Sequence, residues 1–155
     1  MGDGRLALRG FGEGAGGEHL PRVTSDQAPS TGARALVQHV SFEVKPDQLD
    51  ACIEFYELLG FRRVTAPEKL APFVAWLERD GHQFHLLQLP ETSHMNAGHA
   101  AVPLGDDFRA TQTRLRDAGH QVDDHEAYWG SPRSFARDPA GNLVELMEFA
   151  PPPQL

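Results

Sequence analysis

The sequence predicts an α+β fold made of two tandem βαβββ modules. Three observations carry that reading: a self-similarity at an offset of 60 residues, period-two alternation at the start of each half, and a glycine turn opening the last strand of each half. Gln38-His39-Val40-Ser41-Phe42-Glu43-Val44 alternates as a half-buried strand does, and Gly98-His99-Ala100-Ala101-Val102-Pro103-Leu104 repeats its register, with His39 falling on His99. Asp47 and Asp107 follow at the same offset, each placed to cap a helix. The helices carry apolar faces of Leu49, Cys52, Ile53, Tyr56 and Leu59 in one half, and of Phe108, Thr111, Leu115 and Ala118 in the other. Gly60 and Gly119 end them as C-terminal caps.

Two further strands are expected in each half, near Phe61 to Thr65 and Phe73 to Glu78, then near Gln121 to Asp123 and Pro132 to Arg137. The closing strands are Gly81 to Leu87 and Gly141 to Met147, which places His85 on Glu145. Module one therefore spans about 36–90 and module two about 98–149, within a single domain at 34–150. Eight of the fifteen glycines lie in residues 1–33, where no apolar periodicity is sustained, so that stretch is expected to be a disordered Gly-rich tail. Residues 151–155, opened by Pro151-Pro152-Pro153, form a C-terminal tail, since proline cannot continue a strand ladder.

The chain has 155 residues, and 14 basic side chains against 22 acidic ones give a net charge of -8. Phosphate binding needs a basic surface, so no nucleic-acid partner is expected, and an anionic membrane surface is disfavoured for the same reason. No apolar run approaches the length of a membrane span and the N-terminus lacks a secretory apolar core, so the expected location is cytoplasmic. The single cysteine, Cys52, excludes a disulfide framework and a multi-cysteine zinc site, and its helical position reads as packed core. Metal chemistry must then come from histidine and carboxylate.

Strand parity selects the residues. Val40, Phe42 and Val44 face their helix, which turns His39 to the opposite face, and His99 is turned the same way opposite Ala100, Val102 and Leu104. His85 and Glu145 complete two pairs of repeat-equivalent positions on one face. Three imidazoles and one carboxylate form a ligand set for a divalent ion, Zn, Fe, Ni, Co or Mn. His85 stands as a ligand, as a group supporting the ligands, or as a neutral wall of the site. His82, His94, His120 and His125 fall at turns or strand ends and are expected to be solvated. Tyr128, Trp129 and Arg133 precede the seventh strand; Tyr128 and Arg133 are candidate substrate contacts, against the alternative of a surface loop with one cation.

Phe55-Tyr56-Glu57-Leu58-Leu59-Gly60-Phe61 resembles the helix-to-strand signature of the vicinal oxygen chelate superfamily, and Asp138-Pro139-Ala140-Gly141-Asn142-Leu143-Val144-Glu145 resembles its closing turn and metal-bearing strand. The similarity covers Leu36 to Phe149. It implies the glyoxalase-like fold of paired modules, with metal ligands at His39, His99 and Glu145, and it puts His85 where glyoxalase-type lyases usually have Glu. The implied function is a metal-dependent lyase or isomerase acting on a small oxygenated carbonyl substrate, with Glu145 as general base. Extradiol-type dioxygenase and non-catalytic drug-binding or resistance protein, as in bleomycin-binding relatives, are the alternatives. The resemblance also implies a homodimer in which a site draws residues from both subunits.

Overall fold

The computed structural model describes residues 37–94 and 96–152. The expectation of a disordered tail at 1–33 lies outside the described residues, as does most of the segment 151–155. The order of elements is β1 (His39–Val44), α1 (Leu49–Leu58), β2 (Arg62–Val64), β3 (Val74–Arg79), β4 (His82–Gln88), β5 (His99–Pro103), α2 (Phe108–Asp117), β6 (Val122–His125), β7 (Arg133–Arg137) and β8 (Leu143–Met147). Strand, helix and three strands thus occur twice, as the repeat predicts.

Each half makes a four-stranded mixed sheet, in the orders β1-β4-β3-β2 and β5-β8-β7-β6. The first and last strands of each module pair in parallel, with Ser41 opposite His85 and Ala101 opposite Glu145. The hairpins that follow place Trp76 opposite His85 and Phe135 opposite Glu145. Offsets of 60 on the outer pairs and 59 on the hairpin partners have a simple origin. Arg79 and His82 close around the two-residue turn Asp80-Gly81, with Glu78 opposite Gln83, whereas Arg137 pairs with Leu143 across the longer turn Asp138–Asn142.

Apolar periodicity locates the core. Cys52, Ile53, Phe55 and Tyr56 of α1 are buried, as are Phe108, Thr111, Gln112 and Leu115 of α2. All but the polar Thr111 and Gln112 join Val44, Leu77, Phe84, Leu86, Val102, Val144 and Leu146 in one apolar cluster that runs through both modules. Each fully buried aliphatic side chain contributes about 1.5–3 kcal/mol by leaving water. Gln112 is tolerated inside because its amide donates to Asp124 and Ser134.

Gly60 ends α1 at φ +88°, donating to the Glu57 carbonyl while Phe61 donates to that of Tyr56, and Gly119 ends α2 at the same φ with the matching bonds from His120 and Gly119. The N-termini depart from expectation. Pro46 starts a short 3-10 turn, so α1 begins at Leu49 and Asp47 sits inside the turn instead of capping the helix. Asp107 does occupy the cap position of α2, yet its carboxylate serves side chains, accepting from Thr111 and Arg114, and not the helix backbone.

Polar contacts join the modules. The hydroxyl of Tyr56 on α1 donates to Asp138 in the β7–β8 turn at 3.1 Å, Asn142 donates to the Glu43 carbonyl at the end of β1, and Arg114 of α2 donates to the Leu58 carbonyl that closes α1. Among the described residues no helix is long and apolar enough to cross a membrane.

Candidate metal centre and substrate site

The predicted parity holds. His39, Ser41, Gln83 and His85 lie on the face of the first sheet turned away from Val44, Phe84 and Leu86, and His99, Ala101, Phe135 and Glu145 hold the equivalent face of the second. The four predicted donors separate into pairs.

In the first sheet the His39 and His85 rings stack at 4.2 Å with planes 15° apart, and the Trp76 indole stacks on the other side of His85 at 4.5 Å. His85 Nε2 lies 2.9 Å from Gln83 Oε1, and His39 Nδ1 lies 2.8 Å from Gln38 Oε1. Partial burial, and secondarily the neighbouring His39, lower the pKa of His85 below its ordinary 6.5. In the metal-free protein an NMR titration should therefore find the His85 midpoint below 6.5. The unfolded chain takes up this proton at the ordinary value, so the linked stability is full above about 6.5 and is lost as pH falls through the lowered folded value.

In the second sheet Glu145 is 5% exposed and both its carboxylate oxygens are engaged. Oε2 lies 3.1 Å from His99 Nε2, and Oε1 accepts from Arg133 Nη1 at 2.6 Å. Arg133 is fixed from several sides: its Nε donates to the Glu126 carbonyl, and its guanidinium lies 4.9 Å from the Tyr128 ring and 5.5 Å from those of Trp129 and Phe135. The loop that brings these rings is pinned by Trp129, whose indole N–H donates to the Phe149 carbonyl, and by Ser131, which accepts from the Phe149 amide. Phe135 also meets the His99 and His125 rings edge to face, at 5.1 and 4.8 Å.

A groove of about 820 Å³ runs along β5 and the starts of β1 and β4, and both His39 and His99 line it. Its walls include Phe61, Phe84, Ala100 and Val102. A second hollow of about 460 Å³ is lined by His99, His125, Phe135 and Arg137. Among the described residues no three of His, Cys, Asp and Glu come together closely enough to hold one ion. The donor chemistry fits a divalent ion in halves: two ligands each about 2.1 Å from a tetrahedral ion stand about 3.4 Å apart, close to the 3.1 Å between His99 Nε2 and Glu145 Oε2. The nearly parallel His39 and His85 rings present their in-plane lone pairs side by side, so both can reach one ion only after a ring turns.

The profile of the Glyoxalase/Bleomycin resistance protein/Dioxygenase superfamily matches residues 36–146. The chain belongs to this superfamily. Solved structures with the same fold include a glyoxalase/dioxygenase from Nostoc punctiforme (21% identity, TM-score 0.60, covering 81% of this chain and 97% of that one). Another is lactoylglutathione lyase from Agrobacterium tumefaciens (20%, 0.58, covering 75% and 95%), and a third is the oxidase ChaP-H2 (17%, 0.59, covering 76% and 95%). Among curated proteins none matches the chain.

Within this glyoxalase-superfamily chain the structure adds residues that sequence reading passed over. Trp76 and Phe135 flank His85 and Glu145 at equivalent positions, and counting back from the Asp80-Gly81 turn would have set Trp76 beside His85. His82, His94 and His125 are exposed, as expected, with His125 also packed on Phe135 and His94 3.1 Å from Asn142 Oδ1, whereas His120 is half-buried edge-on against Phe55. Tyr128 is 71% exposed and reaches the site by covering Arg133. Cys52 is core, its thiol pushed up to about 12 by burial first and by Asp138 second.

Proposed function

We propose that the chain is a metal-dependent enzyme of the glyoxalase type, a lyase or isomerase acting on a small oxygenated carbonyl compound, with the centre assembled between two copies of the chain. The observation that carries this reading is the two-by-two division of the donors: His99 and Glu145 on one sheet, His39 and His85 at the equivalent places on the other. A second copy brings one pair to face the other, and a homodimer related by a two-fold axis then holds two such centres. The buried free thiol of Cys52 agrees with a reducing, cytoplasmic setting.

A divalent ion (Zn, Fe, Ni, Co or Mn) at His99, Glu145, His39 and His85 would supply Lewis-acid stabilisation to negative charge developing on a substrate oxygen. The protein's own groups then do the rest. Glu145, buried with one oxygen on Arg133 and the other beside His99, is the group that takes a proton from substrate carbon and returns it, through the oxygen it presents beside His99 while Arg133 holds the other. Arg133 fixes that carboxylate in one orientation. Phe135 and Trp76 exclude water from the flanks of the two half-sites.

Metal analysis of the purified protein tests the proposal. Wild type should carry about one divalent ion per chain, and His99→Ala and Glu145→Ala should each lower metal affinity by about 100-fold or more. Metal content unchanged by either substitution would overturn the reading. Oxygen consumption with catechols after anaerobic loading with ferrous iron would replace the lyase by a dioxygenase, and tight ligand binding by metal-free protein without turnover would replace it by a binding protein.

A further inference from the structure

Arg133 is more heavily constrained than a residue that only supports Glu145 needs to be. Of the five N–H groups of its guanidinium, Nε–H goes to the Glu126 carbonyl and one on Nη1 to Glu145. Nη2 donates to no described residue. The side chain as a whole is 13% exposed. Three aromatic rings, Tyr128, Trp129 and Phe135, stand about the guanidinium and hold its position whatever its edge is bonded to. A fixed planar cation beside Glu145 with donors that no described residue uses is a receptor for a planar anion.

We propose that Arg133 recognises a carboxylate on the substrate, which takes over the guanidinium edge from Glu145, so that the substrate is a small acid bearing its carbonyl or hydroxyl oxygen beside that carboxylate. This rests on the placement of the active site at Glu145 argued above. The exchange conserves charge pairing: one carboxylate leaves the guanidinium as another arrives, and Glu145 is released towards the substrate only when an anionic substrate is present. A neutral carbonyl compound cannot make the exchange, because it would leave Glu145 and Arg133 paired. Discrimination therefore comes from the pair itself.

The test uses metal-free protein, with pyruvate as the probe and its neutral methyl ester as control, read by isothermal titration and by NMR shifts of the Arg133 side chain. Pyruvate should bind and the ester should bind about tenfold or more weakly. Arg133→Ala should lose pyruvate binding, and Arg133→Lys should keep only part of it. Glu145→Gln, which removes the competing charge while leaving Arg133 in place, should bind pyruvate several-fold more tightly. This variant keeps the test decisive where Arg133→Ala fails to fold. Equal binding of pyruvate and its ester, or pyruvate binding unaffected by Arg133→Lys and not tightened by Glu145→Gln, overturns the proposal. Zinc titration of the same preparations separates the two inferences: a chain that binds metal but not pyruvate refutes the carboxylate site alone, whereas loss of metal binding by wild type refutes the metal centre.

Discussion

Mixed dimers of His39→Ala and Glu145→Ala chains should bind metal although neither variant does so alone. In a two-fold dimer whose centres each combine His39 and His85 of one copy with His99 and Glu145 of the other, a mixed pair places both lesions in one centre and leaves the second intact. Random reassortment makes half of the dimers mixed, so metal should return to about one quarter of the wild-type content. The experiment is a co-refolding of the two variants at equal concentration, with metal counted against protein and dimers verified by sedimentation. Were the four donors to converge within one chain, every chain in the mixture would carry a broken centre and no metal would return. The contrast between a quarter and nothing is large because the donors are already paired within each sheet, with His99 and Glu145 3.1 Å apart and His39 stacked on His85.

Asp138→Ala should be among the most destabilising single substitutions in the chain, costing about 4 kcal/mol. Asp138 is 3% exposed, and its carboxylate accepts from the Ala140 amide, the Asn142 amide, the Asn142 side chain and the Tyr56 hydroxyl, at 2.8–3.1 Å. Removing it strands several buried donors, each at a cost of about 1–3 kcal/mol, and detaches α1 from the β7–β8 turn. Burial, followed by the Asp138 charge, pushes the Tyr56 phenol well above its ordinary pKa, so the hydroxyl remains a donor across the working pH range. Urea denaturation followed by circular dichroism measures the loss, and Tyr56→Phe in the same assay should cost only about 1 kcal/mol because it removes one donor and leaves none unpaired. A loss below about 1 kcal/mol for Asp138→Ala would show that the turn is held by other contacts.

The repeat made the architecture readable because each landmark is local. Alternation in β1 and β5 reports a buried face, and a glycine after an apolar helix reports its end. Parity likewise put His39, His85, His99 and Glu145 on the correct faces. What parity leaves open is the neighbour a side chain chooses once there. That Glu145 is held by Arg133 depends on the course of residues 126–132, which is set by bonds to Phe149 some twenty residues away. That His85 is clamped by Trp76 depends on the two-residue hairpin turn at Asp80-Gly81, which sets the register of β3 on β4. Asp47 misled because the cap rule assumes that the helix starts directly after the strand, whereas Pro46 inserts a 3-10 turn first. The division of the donors into halves lies beyond any local pattern, since it depends on how the two modules pack.

The apolar cluster that passes through both modules separates the repeat from the unit of folding. Although the sequence reads as the same module twice, neither copy can close its own interior: Tyr56 of the first needs Asp138 of the second, and Arg114 of the second reaches back to Leu58 of the first. Cutting the chain in the linker between β4 and β5 would yield two half-proteins with exposed cores, each recovering its shape only in the presence of the other. Trp76 and Trp129, one in each half, would then report a single melting event at one shared midpoint, and a gene split at that linker would serve as a two-piece reporter of association.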